Sequence, residues 1–184
     1  MGATDRRELS PRITAIQKEL TKLGVMVEAL AHDEVQAGDR SGLESTALRV
    51  RKFYASCERI LILMHSASGV KFARRLDWRS RLLKKSAAAI AGVRPPIISP
   101  ATRRQLQQIL TFRNLERNIY GYTLQSEAIV ELSRLAQSLY PQFVSEIERS
   151  KVFLPQRPPC DKSAVTANST SPSAGGLGLV LPNA

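Results

Sequence analysis

Ser10-Pro11-Arg12-Ile13-Thr14-Ala15-Ile16-Gln17-Lys18-Glu19-Leu20-Thr21-Lys22-Leu23-Gly24-Val25-Met26-Val27-Glu28-Ala29-Leu30 carries a single apolar stripe. Ile13, Ile16, Leu20, Leu23, Val27 and Leu30 recur at steps of three and four residues, the period of an α-helix with one buried face. Ser10 can cap such a helix and Pro11 suits its first turn, so Ser10-Pro11 is the expected start and Gly38 the expected stop.

The same period returns along the chain. Ser41-Gly42-Leu43-Glu44 has the spacing of a capping box. The helix after it places Ala47, Val50, Tyr54, Cys57, Leu61 and Met64 on one face, and Gly69 closes it. A third, basic helix is predicted from about Asp77-Trp78 to about Ala91, ended by Gly92 and Pro95-Pro96. Ser99-Pro100 repeats the start signal for a fourth helix. A fifth begins near Ser126-Glu127 and shows Ile129, Leu132, Leu135, Leu139, Phe143 and Ile147, with Pro141 inside the pattern predicting a kink. No alternating strand pattern and no fixed-period repeat interrupts this. The expectation is all-α: an antiparallel bundle of four to five helices over residues 11–154. A flexible N-terminus, 1–10, precedes it, and a disordered Pro/Ser/Gly-rich tail, 155–184, follows.

A chain of 184 residues is long enough for one domain with its own core. Its longest apolar run, Ile60-Leu61-Ile62-Leu63-Met64, falls far short of the ~20 residues of a membrane span, so no membrane association is expected. The start lacks the apolar region of a signal peptide. Cys57 sits in a helical apolar pattern and Cys160 in the Pro-rich tail, too few and too differently placed for a disulfide framework. A reducing, cytoplasmic setting follows. Net charge is +11, and +10 of it lies between Lys71 and Arg117, where twelve basic residues face only Asp77 and Glu116. A solvated basic face explains such a run, and so does a surface for nucleic acid or another anionic partner.

Within the fourth helix, Arg113-Asn114-Leu115-Glu116-Arg117-Asn118-Ile119-Tyr120-Gly121-Tyr122 holds two arginines, two asparagines and two tyrosines in ten residues. Leu106, Leu110, Arg113, Arg117 and Tyr120 lie on one helical stripe, apolar at its start and polar at its end. Charged residues are rarely buried unpaired, so either this end projects from the core or the arginines line a partly buried polar site. Arginine can hold a phosphate through two parallel hydrogen bonds, and asparagine both donates and accepts. A plain surface helix end with a Glu116 ion pair is the alternative.

This stretch resembles the helix-ending pattern Arg-polar-x-x-x-His-x-Tyr of the HEPN superfamily, in particular its HepT-like members. Arg113 matches the motif arginine, Asn114 the polar residue after it, and Tyr120 the tyrosine. Arg117 falls where HepT-like proteins often carry a second arginine. Lys52-Phe53-Tyr54 to Glu58-Arg59-Ile60 is similar to the family's helix with an aromatic pair followed by Glu-Arg-Ile, and Asp77-Trp78-Arg79 to its Trp-centred helix start. The resemblance spans roughly residues 12 to 153. It implies a helical bundle that dimerises across the motif helices and cleaves RNA without metal or cofactor, as the toxin of a HEPN/MNT toxin–antitoxin pair. The implied partners are RNA and a small nucleotidyltransferase antitoxin, which in some pairs adenylylates the motif tyrosine, here Tyr120.

At the family's histidine this sequence has Asn118. Asparagine takes up no proton near neutral pH and cannot serve as general base, so cleavage is expected to be impaired or lost. The chain's two histidines, His32 and His65, lie elsewhere, and His65 at the end of the second helix reads as a packing or surface residue. The expected catalytic set is therefore Arg113, Asn114 and the degenerate position Asn118. The expected RNA-binding set is Arg113, Arg117, Arg79, Lys84 and Lys85, with Tyr120 as modification site. A non-enzymatic helical adaptor that dimerises through an apolar face is the rival expectation.

Overall fold

The computed structural model describes residues 3–36, 40–70, 77–91, 94–118 and 126–154. The expected Gly38 and Gly92 stops, Lys71, Arg74, Arg75, Tyr120 and the 155–184 tail with Cys160 lie outside them, as do the side chains of Arg117 and Asn118. Among the described residues there are five helices and no strand: α1 (Ala3–Gln36), α2 (Arg40–Ala67), α3 (Trp78–Ser86), α4 (Pro100–Asn118) and α5 (Ser126–Lys151). The all-α expectation holds.

Cross-helix contacts give the directions. Arg12 Nη1 donates to the Ser66 carbonyl at 3.0 Å, and Arg59 meets Glu19 at 3.3 Å, so α1 and α2 are antiparallel. Lys151 reaches Gln17 at 2.9 Å while the Tyr140 hydroxyl approaches Gly24, which makes α5 antiparallel to α1. The chain entering α4 is tied to Ser86, itself bonded to His65 near the end of α2. Further along α4, Arg113 lies by Tyr54 and Glu58, so α4 runs against α2. Short α3 runs the same way as α2, pairing Arg79 with Glu58 and Ser86 with His65. The four long helices alternate in direction, and α2 is the one helix in contact with all the others.

That central place explains its burial. The expected stripe, Ala47, Val50, Tyr54, Cys57, Leu61 and Met64, is buried, and so are Phe53 and Ile60 beside it. On α1 the buried apolar residues among those described are Ile16, Leu20, Leu23 and Leu30, with Ile13 and Val27 half-buried at the stripe's edge. On α5, Ile129, Leu139, Phe143 and Ile147 are buried, while Leu132 and Leu135 pack against the core from its margin.

Helix ends follow their local chemistry where that chemistry is complete. Gly69 adopts φ 72°, its N–H bonds the Ser66 carbonyl at 3.0 Å, and the Val70 N–H bonds the His65 carbonyl at 2.9 Å, a Schellman end for α2. Ser99 Oγ accepts the Thr102 N–H at 3.1 Å, with Pro100 as first residue of α4. α5 continues through Pro141.

Three boundaries differ from expectation. α1 starts at Ala3 and passes through Pro11: the proline forfeits one ladder hydrogen bond and crowds the preceding turn, but residues before it, such as Ala3, Glu8 and Leu9, favour helix. α2 starts at Arg40, which places Ser41 inside its first turn. α3 ends at Ser86, not Ala91. Its last carbonyls are taken by the following loop: Ser86 O accepts the Ile97 and Ile98 N–H groups at 2.8 and 3.2 Å, and Arg94 Nη2 donates to Lys85 O at 3.0 Å. These bonds outweigh the helix propensity of Ala87-Ala88-Ala89.

Candidate functional site

The motif arginine sits at a junction of three helices. On α2, Tyr54 and Glu58 are one turn apart and share a face. On α3, Trp78 and Arg79 open the helix, after an Asp77 held at φ 56°. On α4, Arg113 faces both. Arg79 Nε donates to Glu58 Oε2 at 2.8 Å, a charge-assisted hydrogen bond. Arg113 Nη1 lies 3.9 Å from the same oxygen, an ion pair longer than a hydrogen bond. Arg79 also stacks its guanidinium 4.6 Å from the centre of the Trp78 ring, and Arg113 stands 5.9 Å from that of Tyr54. The side chains of Glu58, Arg113 and Arg79 are 13%, 20% and 26% exposed, so the cluster is sheltered but reachable.

Beneath it lies the core. Tyr54 is 1% exposed and its hydroxyl has no hydrogen-bond partner among the described residues. Burial, and secondarily the Glu58 charge, pushes its phenol well above the ordinary tyrosine range. Burial likewise raises the Cys57 thiol, which is not a nucleophile at neutral pH. Arg113 and Arg79 supply fixed positive charge against one carboxylate, the chemistry of a phosphate-binding surface. Among the described residues no cluster of three His, Cys, Asp or Glu side chains could hold a metal ion.

Neither histidine serves this junction. His65 lies seven residues beyond Glu58 on α2, about 10 Å along the axis. It is fully buried; its Nε2 and Ser86 Oγ are 3.0 Å apart and its Nδ1 lies 3.5 Å from Arg94 Nη2. Arginine only donates, so Nδ1 is the acceptor and Nε2–H donates to Ser86. Burial, reinforced by Arg94 and Lys85, lowers the His65 pKa to about 4. His65 is thus a packing residue. His32 is exposed on α1, which makes no contact with α4 among the described residues.

The other expected residues separate. Asn114 is exposed beside Arg113. Arg117 and Asn118 occupy the last turn of α4. Lys84 and Lys85 are exposed on α3, but α3 leads away from Glu58, placing them about 8 Å along its axis from Arg79. Arg94, one of the basic cluster, is 8% exposed and bonds the carbonyls of Ala88 and Pro95 in its own loop and of Lys85 at the end of α3. The residues not expected as part of the site are Tyr54 and Glu58. Their signal in the sequence was the aromatic pair followed by Glu-Arg-Ile that carries part of the resemblance, which names the segment but not its contact with Arg113.

The three segments whose sequences carry the resemblance, around Tyr54–Glu58, Trp78–Arg79 and Arg113, meet here in space. No curated protein and no solved structure matches the chain. A HepT-like protein family matches residues 45–154, from the first turns of α2 past the end of α5 and so including every residue of the junction. With that match covering more than half of the sequence, the chain belongs to the HepT-like, HEPN-type family.

Proposed function

We propose that this HepT-like protein binds RNA through its phosphates at the α4 junction and cleaves it slowly or not at all. The observation that supports it is Arg113, the motif arginine, sheltered between Tyr54 and Glu58 with Arg79 beside it. Arg113 and Arg117 contact phosphate, Asn114 and Asn118 orient it, and exposed Lys84 and Lys85 extend the basic surface along α3. The reaction typical of the family abstracts a proton from a ribose 2′-hydroxyl. Here Asn118 replaces the histidine, and Tyr54 and His65 titrate in the wrong direction to substitute for it. Loss of general acid–base catalysis typically costs a factor of ~10²–10⁴ in rate.

The setting is a cytoplasmic toxin–antitoxin pair. The chain acts as a homodimer and its partner is a minimal nucleotidyltransferase that modifies Tyr120. The test incubates purified protein with total RNA beside an Asn118→His variant. The native chain is expected to retain RNA at low salt and leave it largely intact, and the variant to cut faster without added metal. If neither cuts and neither shows salt-sensitive RNA affinity, the RNA role fails and the dimeric adaptor takes its place. Rapid cleavage by the native chain would instead contradict the role given to Asn118.

A further inference from the structure

We infer that Glu58 is a positioning residue: its carboxylate, locked by Arg79, holds the Arg113 guanidinium in the orientation that meets a phosphate. The inference rests on the RNA-binding reading of Arg113 and assigns a role to a residue on a different helix.

One oxygen carries the arrangement. Glu58 Oε2 accepts from Arg79 Nε at 2.8 Å and faces Arg113 Nη1 at 3.9 Å. Arg79 is fixed in turn by the Trp78 ring at 4.6 Å. The carboxylate is therefore anchored from α3 before it acts on α4. With the Tyr54 ring on one side and Glu58 on another, Arg113 gives up much of the rotamer freedom an arginine normally loses on binding. The contact with Glu58 is an ion pair at a length beyond hydrogen bonding, so it orients the guanidinium by charge without requiring a hydrogen bond from it.

Charge alone predicts the reverse effect. A carboxylate close to a phosphate site repels the phosphate, and removing it should tighten RNA binding. Positioning predicts weaker binding when the carboxylate is removed, despite the gain of one net positive charge. The sign of the change separates the two.

The experiment measures single-stranded RNA affinity by filter binding with the full chain, at one fixed salt concentration, with thermal unfolding run on every variant. Arg113→Ala is expected to weaken binding roughly tenfold or more, as for loss of a charge-assisted contact. Glu58→Gln keeps an acceptor for Arg79 and is expected to weaken binding roughly 3- to 10-fold. Glu58→Asp keeps the charge on a shorter stem and should weaken it in the same direction. In an Arg113→Ala background, Glu58→Gln should bring no further loss. If Arg113→Ala weakens binding but Glu58→Gln tightens it or leaves it unchanged, positioning is wrong and the RNA reading stands. If Arg113→Ala itself has no effect, the RNA reading falls. A loss in the Glu58 variants that matches their loss of folded protein makes Glu58 a structural residue only and also overturns the inference.

Discussion

His65 is a packing residue, one of the two roles its place at the end of α2 suggests. It is sealed between Ser86 and Arg94, with its pKa lowered to about 4. The unfolded chain takes up the proton near pH 6.5, so between about 6.5 and 4 the unfolded state binds more protons than the folded one. Stability should therefore fall as pH drops from about 6.5 and level off below about 4, with a total loss of up to about 3 kcal/mol from this group. Urea unfolding at several pH values checks this, and His65→Gln should flatten the dependence over that window. Arg94 makes a parallel prediction. Truncating it to alanine removes a side-chain donor from the carbonyls of Lys85, Ala88 and Pro95, and a destabilisation of about 2–4 kcal/mol is expected in the same unfolding measurement.

At the scale of single elements, helix ends separate what sequence reveals from what it hides. Gly69 was legible as a stop because the requirement is local: φ 72° is a left-handed conformation that favours glycine, and Gly69→Ala should cost about 1 kcal/mol. Ser99-Pro100 was legible for the same reason, and Ser99→Ala should also cost about 1 kcal/mol, each readable as a shift in thermal midpoint. The end of α3 was not legible. It is set by Ile97, Ile98 and Arg94, residues eight or more positions later that fold back onto Ser86 and Lys85. The apolar stripes were readable from period alone, but α2's extra burial of Phe53 and Ile60 was not, since it follows from four neighbours that no single helix pattern contains. At the site, Arg113 and the segment holding Glu58 were readable from the resemblance, whereas the meeting of Glu58 with Arg79 and Arg113 became visible only when α2, α3 and α4 were brought together.

Among the described residues of the whole molecule, the basic excess is spread over several places. The described part of the Lys71–Arg117 segment divides into a buried loop staple at Arg94, a paired and stacked Arg79, exposed Arg81, Lys84 and Lys85 on α3, Arg103 and Arg104 in the first turns of α4, and Arg113 at the junction. RNA affinity should therefore rest on few contacts, with Arg113 prominent among them. The direct measurement is the affinity for single-stranded RNA across a range of salt concentrations, for the native chain and for Arg113→Ala. The account predicts that log affinity falls linearly with log salt for both, that the Arg113→Ala line is shallower by about 0.7 to 1, and that it lies lower at low salt. Parallel lines of equal slope, or an affinity that salt does not change, would contradict it.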